Sequence, residues 1–196
     1  GLPDIILFIF VDSSGLSIYD FDAKKISFEI VTISKEFGDV YKGDYAHFTL
    51  KEISEQPHTI LNAGESSKIA ISQCAEIMSN SQSICMIGSG SSYNAALLAK
   101  NLFLKHSRLR IEAIMASEIS SSPESIPENS TVLAISQSGE SADVLESIRI
   151  AKKKNCKIIS MVNTMNCSLA LESSFVIGLN CGPEIGVAAT KSFTSQ

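Results

Sequence analysis

From about residue 66 onward, short apolar runs alternate with stretches whose apolar positions recur at helical spacing. The runs are Ile84–Ile87, Ile111–Met115, Val132–Ile135, Lys157–Val162 and Phe175–Leu179. Their continuity, with flanking turn residues, is the pattern of strands buried on both faces. A helical stretch over about Ser67–Met78 precedes them. Ala95, Leu98, Ala99 and Leu102 repeat at i, i+3, i+4, i+7 and predict a helix after the first run. Val144, Leu145, Ile148 and Ala151 form the inward face of another, beginning at Ser141. Strand–helix alternation of this kind predicts an α/β fold with a parallel sheet of five strands, covered on both faces.

The first 33 residues have a different rhythm. Ile5–Val11, Leu16–Phe21 and Ile26–Ile33 read as strands joined by the turn-like "DSSG" and "DAKK", which predicts a short antiparallel segment. So small a meander is marginal alone and reads as the end of another domain or a packed appendage. Residues 34–65 are more polar and read as a connector containing a helix over His47–Glu55, stopped near Pro57. Ser117–Ser130 is a Ser/Pro-rich stretch, and Cys181–Gln196 a loop leading into a helix. The implied boundaries are 1–40, 41–65 and 66–196.

Composition narrows the function classes. The 196 residues are 44% hydrophobic and 19% charged, as in ordinary globular proteins. A net charge of −5 disfavours nucleic acid, whose backbone calls for clustered Lys and Arg. The dense basic run, Lys152–Lys154, falls at a helix C-terminus and complements its dipole. Five scattered cysteines without a CxxC pair read as small buried hydrophobes in a reducing compartment. Neither they nor His47, His58 and His106 have metal-ligand spacing, and no cofactor is implied. Ile5–Val11 lacks the flanks of a signal peptide and is too short to span a bilayer, so the expected location is the cytoplasm.

The chemistry lies in two loops at the carboxyl ends of predicted strands. "GSGSS" (Gly88–Ser92) and "SQSGES" (Ser136–Ser141) each join a strand to a helix and are rich in small polar residues. A helix N-terminus with unpaired N–H groups is an anion site. Ser91, Ser92, Ser136, Ser138 and Ser141 add hydroxyls, and Gln137 an amide. Together they form a neutral donor cradle for a phosphate, without arginine. Glu140 must then point away from the anion, complementing the start of the following helix with Asp143. Tyr93 occupies the third glycine position of GxGxxG, and the Walker A and GxSxG patterns are missing.

"GSGSSYNAALLAKNLF" (Gly88–Phe103), "ISQSGESADVLESIRIAKKKN" (Ile135–Asn155), "GPEIGVAATKSFTSQ" (Gly182–Gln196) and "HFTLKEISEQP" (His47–Pro57) resemble, in order, the isomerase half of the glutamine–fructose-6-phosphate aminotransferase family. The resemblance implies a three-layer α/β/α sandwich of the sugar isomerase (SIS) type, preceded by the last strands of a glutaminase domain and a linker. It also implies that Ser92, Ser136, Gln137, Ser138 and Ser141 bind a sugar phosphate, fructose 6-phosphate or glucosamine 6-phosphate. Ser91 adjoins them, and the backbone at Val187 lines the sugar site. Glu184 shares the motif of Val187. Serine replaces the family's usual threonine at Ser91 and Ser141, and Ala189 stands where the family has a serine. Lys191 belongs to a motif distinct from the family's Schiff-base lysine. A non-catalytic sugar-phosphate sensor is the alternative reading.

Two expectations follow. "IGVAATKSF" (Ile185–Phe193) would be left uncovered by its natural partner domain and buried by self-association into a homo-oligomer. The glutaminase nucleophile, and the ring-opening, proton-transferring and Schiff-base groups, fall outside these residues by resemblance. The chain alone is expected to hydrolyse no glutamine and to form no glucosamine 6-phosphate, which assay against a heat-killed control would check.

Overall fold

The computed structural model describes residues 8–13, 15–20, 22–28, 41–107 and 109–196. The chain divides into two compact units, 1–37 and 38–196.

In the first unit β1 (Phe8–Asp12), β2 (Gly15–Tyr19) and β3 (Lys25–Ile26) pair antiparallel in the order β1-β2-β3. Phe10 and Tyr19 meet edge to face across the β1–β2 pair, their centroids 5.6 Å apart. The predicted meander is present here. Residues 5–7, 21 and 29–33 of the predicted strands lie outside the described residues.

The second unit begins with α1 (Phe48–Ser66) and α2 (Lys68–Ser79). Then follow β4 (Ile84–Gly88), α3 (Ser91–His106), β5 (Ile111–Met115), α4 (Ala116–Ile119) and a 3₁₀ turn over Pro123–Ser125. β6 (Thr131–Ser136), α5 (Ala142–Lys153), β7 (Lys157–Val162), α6 (Ser168–Leu171), β8 (Phe175–Gly178) and α7 (Lys191–Ser195) complete it. The five strands are parallel, in the order β5-β4-β6-β7-β8.

The continuous apolar runs are explained by two cores, one on each face of the sheet. Cys85, Ile87, Val132, Ala134, Ile158 and Val162 pack against Val144, Ile148 and Ala151 of α5 and Leu169 of α6. The alternate residues, Met86, Leu133, Ile135 and Ile159, pack against Cys74 and Met78 of α2 and Ala96 of α3. Successive side chains of a strand point to opposite faces, so a strand covered twice is apolar at nearly every position, buried Ser160 of β7 (Lys157–Val162) being an exception. The Ser/Pro-rich stretch also contributes: Ile119 and Ile126 are fully buried in the first of these cores. All five cysteines are buried and unpaired.

The predicted helix stop at Pro57 is overturned, because α1 continues through Pro57 to Ser66. A proline inside a helix lacks the N–H that would reach the carbonyl four residues back and crowds it, at a cost of about 3 kcal/mol. That carbonyl belongs to Ile53, a half-exposed residue, where water can replace the lost partner. Contacts on both sides of Pro57 hold the helix to one segment of chain. Before it, Glu52 accepts from Ile185 N–H, and after it Asn62 donates to the Asn180 carbonyl at 2.7 Å. Tertiary bonds from both halves therefore outweigh the local break.

In the segment Ile185–Phe193, α7 packs against α1 and buries Lys191 and Ser192, while Ile185, Val187, Ala188 and Ala189 are exposed. Among the described residues no helix is long and apolar enough to cross a membrane.

If packing rather than propensity carries α1 through residue 57, Pro57→Ala should stabilise the protein. The expected gain is about 1–3 kcal/mol, read as a higher urea midpoint at unchanged slope.

Candidate functional site

The chain order of the strands fixes where a site can form. β4 leads outward to β5, and the chain then returns to place β6 on the other side of β4. The connections leave in opposite directions and open a crevice at the carboxyl ends of β4 and β6, the usual ligand position in such sheets. In register Gly88 pairs with Ile135, so the loops before α3 and α5 leave neighbouring strands at the same level.

Glycines set the loop shapes. A Cβ on Gly88 would come within 2.9 Å of the backbone of Ser92 and Tyr93, so only glycine lets the first turn of α3 sit against the end of β4. Gly139 has φ +71, and a Cβ there would lie 2.1 Å from Cys167 Sγ. The Gly139 carbonyl accepts from Leu169 N–H at 3.1 Å, and that of Gln137 from Asn163 N–H at 3.1 Å. The serine loop is thus tied to the chain on either side of it.

Neither helix N-terminus is capped by a side chain. Ser141 occupies the N-cap position of α5, but its hydroxyl lies 3.2 Å from that of Ser136 instead of turning back onto the helix. Ser136 Oγ accepts from Gly139 N–H at 3.0 Å and Ser138 Oγ from Glu140 N–H at 3.2 Å, leaving the Ser138 proton, and one proton of the Ser136–Ser141 pair, to donate. A helix end without a side-chain cap directs its N–H groups and partial positive charge outward.

A cavity of about 230 Å³ collects these groups. It is lined by Ser91, Ser92, Ser136, Gln137, Ser138, Ser141 and Val187, the full set of predicted binding residues. Ser89, Ile135, Glu184, Gly186, Ala189 and Ser192 also line it, and among the described residues no lysine or arginine does. Val187 is fully exposed at its rim. Ser89 Oγ is buried and has no hydrogen-bond partner among the described residues. Larger surface hollows lie elsewhere, including one of about 720 Å³ lined by Asn80, Asn129 and Lys157. Those residues lie at the opposite strand ends, away from the helix N-termini.

The carboxylates near the cavity are spoken for. Glu184 Oε1 accepts from Thr190 N–H at 3.0 Å, Thr190 Oγ at 3.1 Å and Ser192 N–H at 3.2 Å, and Oε2 accepts from Ser192 Oγ. Four donors offset its charge, so it holds the start of α7 rather than opposing an anion. Glu140 points away, as expected, but its partner differs from the prediction. It accepts from Ser168 N–H at 2.7 Å, at the start of α6 and not of α5, and that bond holds its carboxyl below the usual range. Lys152 pairs with Glu172, and Lys154 donates to the carbonyls of Pro123 and Ile126. Two of the three lysines of the basic run are therefore engaged within the protein, and Lys153 is exposed. Lys191 is 3% exposed and pairs with Glu55 at 2.6 Å.

Two contributors were not anticipated from sequence. Glu52, 2% exposed, accepts from Ile185 and Gly186 N–H and fixes part of the cavity wall. The available signal was a carboxylate on the helix face that also carries Thr59 and Ala63, both buried. Ser89 lies within the predicted loop but was not singled out.

The SIS domain family matches residues 77–196. The chain belongs to that family. It is 36% identical over 189 residues to a glutamine–fructose-6-phosphate aminotransferase (isomerizing) of Thermotoga maritima, covering 93% of this chain and 31% of that protein. The chain thus spans about a third of the length of the curated relatives it matches. Among solved structures, the C-terminal domain of glucosamine-fructose-6-phosphate aminotransferase from Francisella tularensis superposes with a TM-score of 0.73 at 37% identity, covering 79% of this chain and 45% of that one. A glucosamine-6-phosphate deaminase from Thermotoga maritima gives 0.62 at 27% identity, covering 75% and 44%.

The Glu55–Lys191 pair generates a pH dependence. Partial burial raises the Glu55 carboxyl pKa, but hydrogen bonds and charges from Lys191 and Lys51 outweigh this and leave it below its ordinary value of 4.5. A lowered carboxylate pKa stabilises the fold above the unfolded value and ceases to as pH falls through the folded one. Wild type should therefore lose its advantage over Glu55→Gln on acidification below about pH 4.5. Melting temperatures of the two proteins across that range would check it.

Proposed function

We propose that the cavity binds a hexose 6-phosphate, and that the chain is the sugar-phosphate-binding part of a glutamine–fructose-6-phosphate aminotransferase. In that reading the longer enzyme makes glucosamine 6-phosphate from fructose 6-phosphate and glutamine. The observation carrying the reading is the convergence of two uncapped helix N-termini and six donor residues on one cavity without a fixed cation. Donor hydroxyls and backbone N–H groups bind a phosphate without an ion pair. The relatives' printed activity supplies the sugar, and the cavity volume admits a small ligand.

In this reading Ser92, Ser136, Gln137, Ser138 and Ser141 donate to the phosphate, with Ser91 beside them. The backbone from Gly186 to Ala189 meets the sugar. Ala189 offers no hydroxyl, so contact there is through the main chain. The residues of this chain bind and orient, and the acid–base and Schiff-base groups come from elsewhere in the enzyme. The five unpaired cysteines accord with a cytoplasmic setting. Self-association belongs to the same reading and is supported by exposed Leu98 and Leu102, one turn apart on α3.

Fructose 6-phosphate should bind and fructose should not. Ser138→Ala removes one donor to a charged group and should weaken binding by about 1–3 kcal/mol, roughly 5- to 150-fold. Ser122→Ala, away from the cavity, should change nothing. Calorimetric titration decides: equal binding of fructose and its phosphate, or unchanged affinity with a lowered melting temperature in Ser138→Ala, contradicts the reading.

A further inference from the structure

The cavity wall has two parts with different direct holds, joined by Asn163, which bonds Gln137 on one side and Cys181 and Gly182 on the other. The serine loop is held by Ser136 Oγ and by bonds to Asn163 and Leu169. The segment 184–190 is irregular, with no sheet or helix ladder to set its backbone, and it is held by carboxylates. One of them comes from α1, more than 130 positions earlier. Glu52 Oε1 lies 2.6 Å from Ile185 N and 3.0 Å from Gly186 N, and Oε2 lies 3.2 Å from Gly186 N.

A buried carboxylate requires donors, and these donors are two consecutive backbone N–H groups of the wall itself. Glu52 does not complement its own helix, because the first turn of α1 contains no acidic residue. The approach is also too close for a side chain on the wall. A Cβ at Gly186 would lie 2.5 Å from Glu52 Oε2 and 2.8 Å from Thr49 Oγ. The lining residues Gly186, Val187 and Ala189 follow immediately.

We propose that Glu52 is a positioning residue for the sugar-facing wall, acting through the backbone of Ile185 and Gly186. The proposal rests on the sugar-phosphate reading above. It predicts a split: loss of Glu52 should disturb recognition of the sugar and spare recognition of the phosphate, which depends on the other part of the wall.

The test is calorimetric titration of wild type, Glu52→Ala, Glu52→Gln and Gly186→Ala with fructose 6-phosphate and with inorganic phosphate. In Glu52→Ala, fructose 6-phosphate affinity should fall about 10-fold or more, the scale of a buried N–H losing a charged acceptor, while phosphate affinity stays within about twofold. Glu52→Gln keeps one acceptor oxygen and should recover most of the loss. Gly186→Ala forces the wall from its seat with α1 unaltered and should reproduce the split, deciding the matter alone if Glu52→Ala does not fold. Equal losses for both ligands would make Glu52 a general structural residue and overturn the proposal, as would unchanged fructose 6-phosphate affinity. Wild type that binds phosphate no less tightly than fructose 6-phosphate also overturns it, leaving the phosphate cradle intact. Wild type that binds neither ligand removes the sugar-phosphate reading and the proposal together.

Discussion

The pairing of β4 with β6 is the contact on which the rest depends. These strands are separated in the chain by α3, β5 and the Ser/Pro-rich stretch, yet they lie side by side at the centre of the sheet. Their backbone bonds put the ends of two strands at one level. Because each strand runs into a helix, they also put two helix starts at one crevice. Burial on both faces leaves little freedom in that register. A slip of one residue would exchange the residues facing α5 with those facing α2 and α3.

The cavity presents partial charges and hydroxyls to whatever it holds. Eight hydroxyl or amide residues and backbone groups surround a small volume, and the one carboxylate among the lining side chains is occupied by four donors. The helix dipole is strongest within the first turn, so keeping Ser141 turned toward Ser136 matters as much as having a serine there. Glu140 illustrates the same economy of charge, since its side chain serves α6 and does not line the cavity.

α1 has a double character. Its sequence carries a proline and several charges, and it reads as connector. In the fold, its carboxylates Glu52 and Glu55 and its Asn62 grip the C-terminal segment from residue 180 to 191. The cavity wall is therefore shaped by residues from both ends of the second unit. This closure of the chain on itself is also why α7, a single short turn, has a fixed place.

The strands, the two glycine- and serine-rich loops and six of the seven nominated lining residues were legible in the local pattern of the sequence. They are encoded locally: a strand covered on both faces is a run of apolar residues, and a loop that cradles an anion is a run of glycine and serine. The resemblance added the C-terminal motif and Val187, which no periodicity marks. The continuation of α1 through Pro57, the partner of Glu140 and the seat of Glu52 beneath Gly186 were decided only by the tertiary structure. Each depends on which groups meet across the fold, between positions 28 to 134 apart. A local pattern records the propensity of a segment and the chemistry of its side chains. It does not record the distant donors that make a buried carboxylate stable, or the packing that carries a helix past a proline.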